Sequence, residues 1–249
     1  GSVYFLGHSL IPHMVPNMVD DFAAASGNPG LRVNSGIGVG ASLSWHWQYP
    51  DRTTPDNPRT TLSSTAFDAV VMTEAIPLAD QIRWNDSVGN YARFAELARA
   101  RNPNVRFYLY QGWPSRNGSD WAGRVASDRT LWNQMSTDIQ ARLGRPVPIV
   151  SVGRALVALE QRIARGQMPG ITRINQVFVD DIHLTPTATY LAALVTYATI
   201  THLSPVGLTA QTDGPGGIPP YASPPAEAVR PLQDLALEIV STDPQSGWQ

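Results

Sequence analysis

The sequence predicts a three-layer α/β/α sandwich built on a five-stranded parallel sheet. Three observations lead there. Five short apolar runs occur at residues 3–6, 31–33, 69–72, 105–110 and 147–152, mostly bounded by Gly, Pro or Asn. The runs are continuous rather than alternating, as strands buried on both faces should be. Segments of helical period separate them, and a repeated strand–helix order argues for a parallel sheet covered on both sides.

The first run, Val3-Tyr4-Phe5-Leu6, meets Gly7-His8-Ser9-Leu10. A helix is predicted over 15–25, closing near Ser26-Gly27-Asn28, before the second run. After it come a glycine-rich turn, "NSGIGVGASL", and an aromatic stretch, "SLSWHWQYP", read as a loop. The third run leads into Met72-Thr73-Glu74-Ala75-Ile76-Pro77. A helix over 86–101 puts Tyr91, Phe94, Ala95, Leu97 and Ala98 on one stripe, and Asn102-Pro103 closes it. The fourth run ends in "LYQGWPS". The next helix, 119–143, turns Trp132, Met135 and Ile139 inward and stops at Gly144. Helices over 154–165 and 187–203 complete a main domain of residues 1–205. Residues 206–249 form a C-terminal segment: Gly/Pro-rich at 213–225, then a helix over 226–240 that packs back on the domain. Its Pro231 falls in the first turn, where proline is tolerated.

Composition removes several kinds of chemistry. The chain has 249 residues, 43% of them hydrophobic, and a net charge of −2, enough for one sizeable core. The balanced charge makes no electrostatic case for nucleic acid, and no run is long enough to span a membrane. There is no cysteine, so disulfides, thiolate nucleophiles and Cys-bound zinc are excluded. All 18 basic residues are arginine, which excludes a Schiff-base lysine, a Ser-Lys dyad and a P-loop lysine. His8, His13 and His46 have no ligand-like spacing, so neither a metal nor a cofactor is expected. Strand residues begin directly after Gly1-Ser2, and any targeting segment is expected to have been removed ahead of them. The compartment stays open, with secretion or the periplasm favoured over the cytoplasm.

Two loops carry the chemistry-bearing residues. Ser9 lies just past the carboxyl end of the first strand, where open α/β sheets bind ligands. Near the other end of the chain, Asp180-Asp181-Ile182-His183 follows an apolar run and precedes a long helix. A spacing of three lets the Asp180 carboxylate reach the imidazole, orient it and leave the other ring nitrogen free. A serine hydroxyl needs such a base before it becomes a useful nucleophile. Taken singly, a Gly-x-Ser turn and an Asp-x-x-His loop are ordinary structure; their joint placement at the two ends of this α/β pattern argues for catalysis.

Here the sequence resembles the SGNH (GDSL-type) hydrolases. Their first block, Gly-Asp-Ser-Leu, corresponds to Gly7-His8-Ser9-Leu10, and their last, Asp-x-x-His-Leu, to Asp180-Asp181-Ile182-His183-Leu184. The resemblance spans residues 3 to about 203. It implies a serine esterase with Ser9 as nucleophile, His183 as base and Asp180 as its orienting acid. It also implies an oxyanion hole made by the Ser9 N–H and a glycine N–H, with Gly40 the first choice and Gly38 the second. The pattern breaks twice. His8 replaces an aspartate, and the third block, normally Gly-x-Asn-Asp, reads Thr73-Glu74-Ala75-Ile76.

A bare glutamate would repel an oxyanion, so Glu74 is expected to bond a neighbouring donor and hold the loop carrying Gly40 or Gln111. Replacement oxyanion donors are sought among Asn17, Asn85, Gln111 and Trp113. Glu74, Gln111 and Trp113 are further site candidates, with Trp113 lining the cleft. Trp45 and Trp47 serve either as a stacking platform for a sugar or as a plug in the fold. The substrate implied is a small-molecule or carbohydrate ester, an O-acetyl ester in particular. The alternatives are a lipase- or thioesterase-like hydrolase, an O-acetyltransferase using the same triad, and a non-catalytic glycan-binding relative.

Overall fold

The computed structural model describes residues 1–27, 31–214 and 219–248. Asn28, in the predicted close of the first helix, and residues 215–218 of the Gly/Pro segment therefore lie outside the described residues.

A six-stranded sheet is covered on both faces by helices. The strands are β1 (Ser2–Gly7), β2 (Arg32–Ile37), β3 (Thr54–Pro55), β4 (Ala69–Met72), β5 (Arg106–Tyr110) and β6 (Ile149–Val150). Their order in the sheet is β3-β2-β1-β4-β5-β6. β1 is central and parallel to both neighbours, with Val3 opposite Val33 on one side and Ala69 on the other. Five strands are parallel, as predicted; the sixth, β3, is a two-residue antiparallel addition at the β2 edge. So short a strand carries no periodicity to read. The second strand runs further than its apolar residues, through Asn34, Ser35 and Gly36, because backbone pairing to β1 holds it in register. The fifth predicted run is mostly not strand: only Ile149 and Val150 pair, and Val152 opens a helix.

Alternate residues of the strands face opposite layers. Val3, Phe5, Val71, Tyr108 and Tyr110 point to a layer formed by α1 (Met14–Ala25), α7 (Val152–Ala164), α8 (Pro186–Thr201) and α9 (Ala226–Thr242). Tyr4, Leu6, Val70, Met72, Phe107 and Leu109 point to the other layer. It is built from α2 (Leu43–Gln48), α3 (Pro58–Ser64), α4 (Leu78–Trp84), α5 (Ser87–Arg101) and most of α6 (Trp121–Leu143). Helices α2, α3 and α4 have six or seven residues each and escape a search for helical period. The stretch "SLSWHWQYP" is thus helix in its centre rather than loop, capped by the Ser42 hydroxyl, which accepts from the Trp45 N–H. Asp86 and Asp120 cap α5 and α6, and Gly144, at φ +66°, ends α6 in the left-handed region.

α8 is buried from Ala188 to Ile200. Its sequence is apolar all round, as a helix with neighbours on every side should be. α9 supplies the outer cover through Leu232, Leu235, Ala236 and Ile239, its Pro231 lying in the second turn. None of the described helices is long and apolar enough to cross a membrane.

The end of α9 is pinned by a buried ionic cluster. Arg129 Nη2 donates to both Asp243 oxygens, at 3.1 and 2.9 Å, and Arg154 Nη1 stands 3.2 Å from the same carboxylate. The Ser151 hydroxyl donates to it as well. Burial pushes the Asp243 carboxyl up, but Ser151, Arg129, the Gln245 N–H and Arg154 together hold it below its ordinary value. Asp243→Ala leaves the mostly buried Arg129 without its carboxylate and is expected to cost about 3 kcal/mol in urea unfolding at neutral pH. Because the folded carboxyl is the stronger acid, its contribution is complete above the unfolded value of about 3.9 and disappears as pH falls through the folded one. The gap between wild type and variant therefore closes in acid.

Candidate active site

β1 stops where a side chain has no room. A Cβ on Gly7 would stand 2.0 Å from Ile11 Cγ2 and 3.0 Å from Thr73 Cγ2. The chain then turns tightly, the Ile11 N–H donating to the His8 carbonyl at 2.9 Å, and enters α1. Ser9 sits half-buried on this turn, at the carboxyl end of the central strand.

The Asp-x-x-His loop arrives from 174 residues away. Phe178 and Leu184 pair as an isolated antiparallel bridge, and the Val179 N–H donates to the His183 carbonyl at 2.9 Å. Within the loop, Asp180 Oδ1 accepts from the N–H groups of Ile182 (2.8 Å) and His183 (2.6 Å). Its Oδ2 lies 2.7 Å from His183 Nδ1, and His183 Nε2 lies 3.0 Å from Ser9 Oγ. A carboxylate can only accept, so Nδ1 carries the proton and Nε2 turns its lone pair to the serine hydroxyl. The His183 N–H, the His183 ring and the Ile182 N–H hold the exposed Asp180 carboxyl down at about 2. Asp180 is therefore ionised at any ordinary pH. Its neighbour Asp181 is turned away, accepting from Asn117 Nδ2 at 2.8 Å and from the Ser115 hydroxyl.

Two of the expected backbone donors separate clearly. The Gly38 N–H donates to the Gly7 carbonyl at 3.0 Å and is committed to the sheet margin. Gly40, at φ +63°, is exposed, and among the described residues neither its N–H nor that of Ser9 meets a protein acceptor. Both residues line one cleft of about 270 Å³, together with His8, His183 and the apolar side chains Leu10, Val39, Ile76 and Ile182. Cavities of about 390 and 440 Å³ exist elsewhere, but their walls share no residue with this cleft.

Glu74 is fully buried. Its Oε1 accepts from the Leu43 N–H (3.0 Å) and from its own neighbour, the Ala75 N–H (2.7 Å). Leu43 begins α2, three residues after Gly40, so the carboxyl ties the glycine turn to the end of β4. Burial pushes the Glu74 carboxyl up, against the opposing pull of Ala75, Ser87 and Leu43. Glu74 Oε2 and the Ser87 hydroxyl are both buried without a hydrogen-bond partner among the described residues. The Glu74 carbonyl accepts from His8 Nε2 at 2.8 Å, while His8 Nδ1 accepts from the Leu10 N–H at 3.3 Å. His46 completes the set: Nε2 donates to the Gly7 carbonyl at 2.8 Å and Nδ1 pairs with the Thr53 hydroxyl at 2.7 Å. Burial lowers the proton affinity of His8 and takes His46 down to about 4, so both rings are neutral.

Other candidates from the sequence fall outside the cleft. Gln111 is fully buried at the end of β5, where its Oε1 accepts from Arg129 Nη1 (3.1 Å) and the Arg154 N–H (3.2 Å). Its Nε2 lies against Gly153, not Ser9. Trp113 does not line the cleft; it is fully buried, and its indole N–H donates to the Ile182 carbonyl at 2.9 Å. Asn17 Nδ2 is bonded to the Tyr221 hydroxyl and Asn85 Nδ2 to Gln81 Oε1. Trp47 packs edge-on to Phe94 beneath Arg59 and Arg93, which makes it a plug. Trp45 leans on His46 and Tyr49. Sequence reasoning missed the anchoring by His8 and His46 and the cleft walls Val39, Ile76 and Ile182. Val39 and Ile182 adjoin Gly40 and His183 in sequence, a signal that adjacency alone offered.

Glu74→Ala strands two buried N–H donors and is expected to cost about 1–3 kcal/mol for each. Glu74→Gln retains an acceptor oxygen for both and should stay near wild type. Urea unfolding of the pair, with amide exchange at Leu43 as a local probe, checks this.

No family model matches the chain, and no curated protein does. Solved structures do resemble it. A DUF4886 family protein from Bacteroides uniformis aligns with a TM-score of 0.61 at 18% identity, over 97% of this chain and 95% of that one. A carbohydrate esterase family 3 protein from Talaromyces cellulolyticus aligns at 0.54 and 14% identity, over 81% and 96%. A putative GDSL-like lipase from Parabacteroides merdae aligns at 0.55 and 9% identity, over 81% and 95%. At such identities the likeness speaks for architecture, and the architecture of this chain is the SGNH (GDSL-type) hydrolase fold.

Proposed function

We propose that the protein is a serine esterase that hydrolyses short acyl esters, O-acetyl esters of carbohydrates in particular, through an acyl-enzyme on Ser9. One observation carries the reading: the continuous line Asp180–His183–Ser9, with contacts of 2.7 and 3.0 Å, ends in an apolar cleft beside two unengaged N–H groups. Ser9 Oγ attacks the acyl carbonyl while His183 Nε2 takes its proton. The N–H groups of Ser9 and Gly40 receive the developing oxyanion. The imidazolium returns the proton to the alkoxy oxygen as its bond to the acyl carbon breaks, and the alcohol leaves. Water then attacks the acyl-enzyme with His183 again as base, releasing the acid and Ser9.

Only two donors face the oxyanion in this reading, because Glu74 stands where the family's asparagine belongs. A third donor is worth roughly 3–4 kcal/mol in other acyl-transfer sites, so slower turnover than that of a three-donor relative is expected. The small cleft supports a short acyl group. The exposure of the His183 side chain, 42%, supports water rather than a sheltered alcohol as acceptor, and so hydrolysis over acyl transfer. The carbohydrate part rests on the likeness to the Talaromyces esterase, since Trp47 is engaged in packing.

Ser9→Ala and His183→Ala should each abolish turnover of a small activated ester while leaving the fold intact. Asp180→Asn should lose less, yet still a large factor, because the imidazole tautomer is no longer held. Wild-type turnover in Ser9→Ala would end the proposal. With Asp180 held at about 2, its own titration cannot produce an acid limb in kcat/KM above about pH 4. Across esters of one alcohol, kcat/KM should drop steeply beyond short acyl chains; a preference for long chains would favour a lipase-like assignment.

A further inference from the structure

The cleft's nucleophilic half is buried in the sheet end, but its basic half is not. The side chains of Asp180 and His183 are 46% and 42% exposed, so packing around the ring cannot hold it. The loop over residues 179–183 is instead fastened to the connection between β5 and α6. Trp113 Nε1 donates to the Ile182 carbonyl at 2.9 Å, and the Arg116 N–H donates to the Asp181 carbonyl at 2.7 Å. Asp181 Oδ2 accepts from Asn117 Nδ2 at 2.8 Å and from the Ser115 hydroxyl. These four bonds grip the two residues between Asp180 and His183.

The gripping segment is itself anchored. Arg124 Nη1 donates to the Ser115 carbonyl at 2.7 Å, and Trp121 Nε1 to the Pro114 carbonyl at 2.8 Å. The Arg116 guanidinium lies 5.0 Å from the ring centres of both Trp121 and Phe178 and is paired with Glu160. Trp113 is fully buried. A rigid body thus stands behind an exposed catalytic loop.

We infer that Asp181 and Trp113 are positioning residues, which clamp residues 181–182 to the β5–α6 connection and so keep His183 Nε2 within reach of Ser9. The inference rests on the proposed triad. It gives two adjacent acids separate roles. Asp180 orients the ring, while Asp181, its Oδ2 engaged with Ser115 and Asn117, holds the loop. Proton transfer is sensitive to such placement, and a misplacement of about 1 Å can cost on the order of 100-fold.

The test uses one small activated ester and the full chain. Asp181→Ala should lower kcat about 10- to 100-fold, with a smaller effect on KM, because of the apolar cleft walls only Ile182 lies on the loop, while Leu10, Val39 and Ile76 lie elsewhere. Trp113→Phe keeps an aromatic ring but loses the N–H donor, and should lower kcat in the same sense. Asp181→Asn should recover most of the loss, since its amide oxygen still accepts from Ser115 and Asn117. Ser115→Ala should add little to Asp181→Ala, because both remove the Ser115–Asp181 contact; independent defects would multiply. Fluorophosphonate labelling of Ser9 should slow in parallel with kcat. Wild-type kcat in both Asp181→Ala and Trp113→Phe, a loss confined to KM, or fully multiplicative effects would overturn the clamp. If Asp181→Ala does not fold, Trp113→Phe and Ser115→Ala decide. Ser9→Ala, run beside them, separates the two ideas. Full turnover there removes the triad itself; its loss with an unaffected Asp181→Ala removes the clamp alone.

Discussion

The position of Ser9 depends on how the central strand ends. Gly7 leaves no space for a side chain, and its carbonyl is shared by the Gly38 N–H and the His46 ring. One residue later, His8 holds the Glu74 carbonyl, and the Glu74 carboxyl holds the Leu43 N–H. The connections that follow β1, β2 and β4 are joined in this way beneath the cleft. All these groups are buried, where an unpaired donor or acceptor costs far more than in water. The turn carrying Ser9 and the turn carrying Gly40 are therefore tied to one buried network. His8 and Glu74, where the sequence departs from the blocks it resembles, are two of the residues that tie it together.

The other half of the site obeys a different physics. Asp180 and His183 stand in water, where a carboxylate–imidazole contact draws little strength from Coulomb attraction alone. Their order comes from backbone bonds: Asp180 caps the N–H groups of Ile182 and His183, and the β5–α6 connection grips the loop from behind. Three histidines gather at this end of the sheet, yet two are kept neutral by burial and both their ring nitrogens are engaged. His183 is the one whose second nitrogen points at a serine hydroxyl in the cleft. Burial thus separates two rings engaged in the scaffold from one that faces the cleft.

The C-terminal segment takes part at one remove. α8 follows directly from the His183 loop and is apolar on every side, so it needs an outer neighbour. α9 supplies it, and the Asp243 cluster fastens the end of α9 to Arg129 on α6 and Arg154 on α7. The element that leads away from the His183 loop is thereby buried, as is the central strand that leads to Ser9.

The layered fold and the outer bounds of the site were legible in the chain itself. Continuous apolar runs announced strands with two buried faces, and β4 matched its run residue for residue. The Gly7–Leu10 and Asp180–Leu184 blocks named the residues that meet, because turn geometry and a spacing of three are local properties that survive without knowledge of the fold. What remained hidden was set by contacts between segments far apart. Trp113 read as a cleft wall and proved a buried donor to the Ile182 carbonyl; Gln111 read as a site residue and proved part of the Asp243 cluster. The direction of a side chain at a strand end is decided by which loop lies opposite, and no local pattern encodes that. By itself the sequence determined which groups were available and at which end of the sheet they would stand. Tertiary structure alone decided which of them face the cleft, because burial and the need to pair every buried polar group assign each donor and acceptor a single partner.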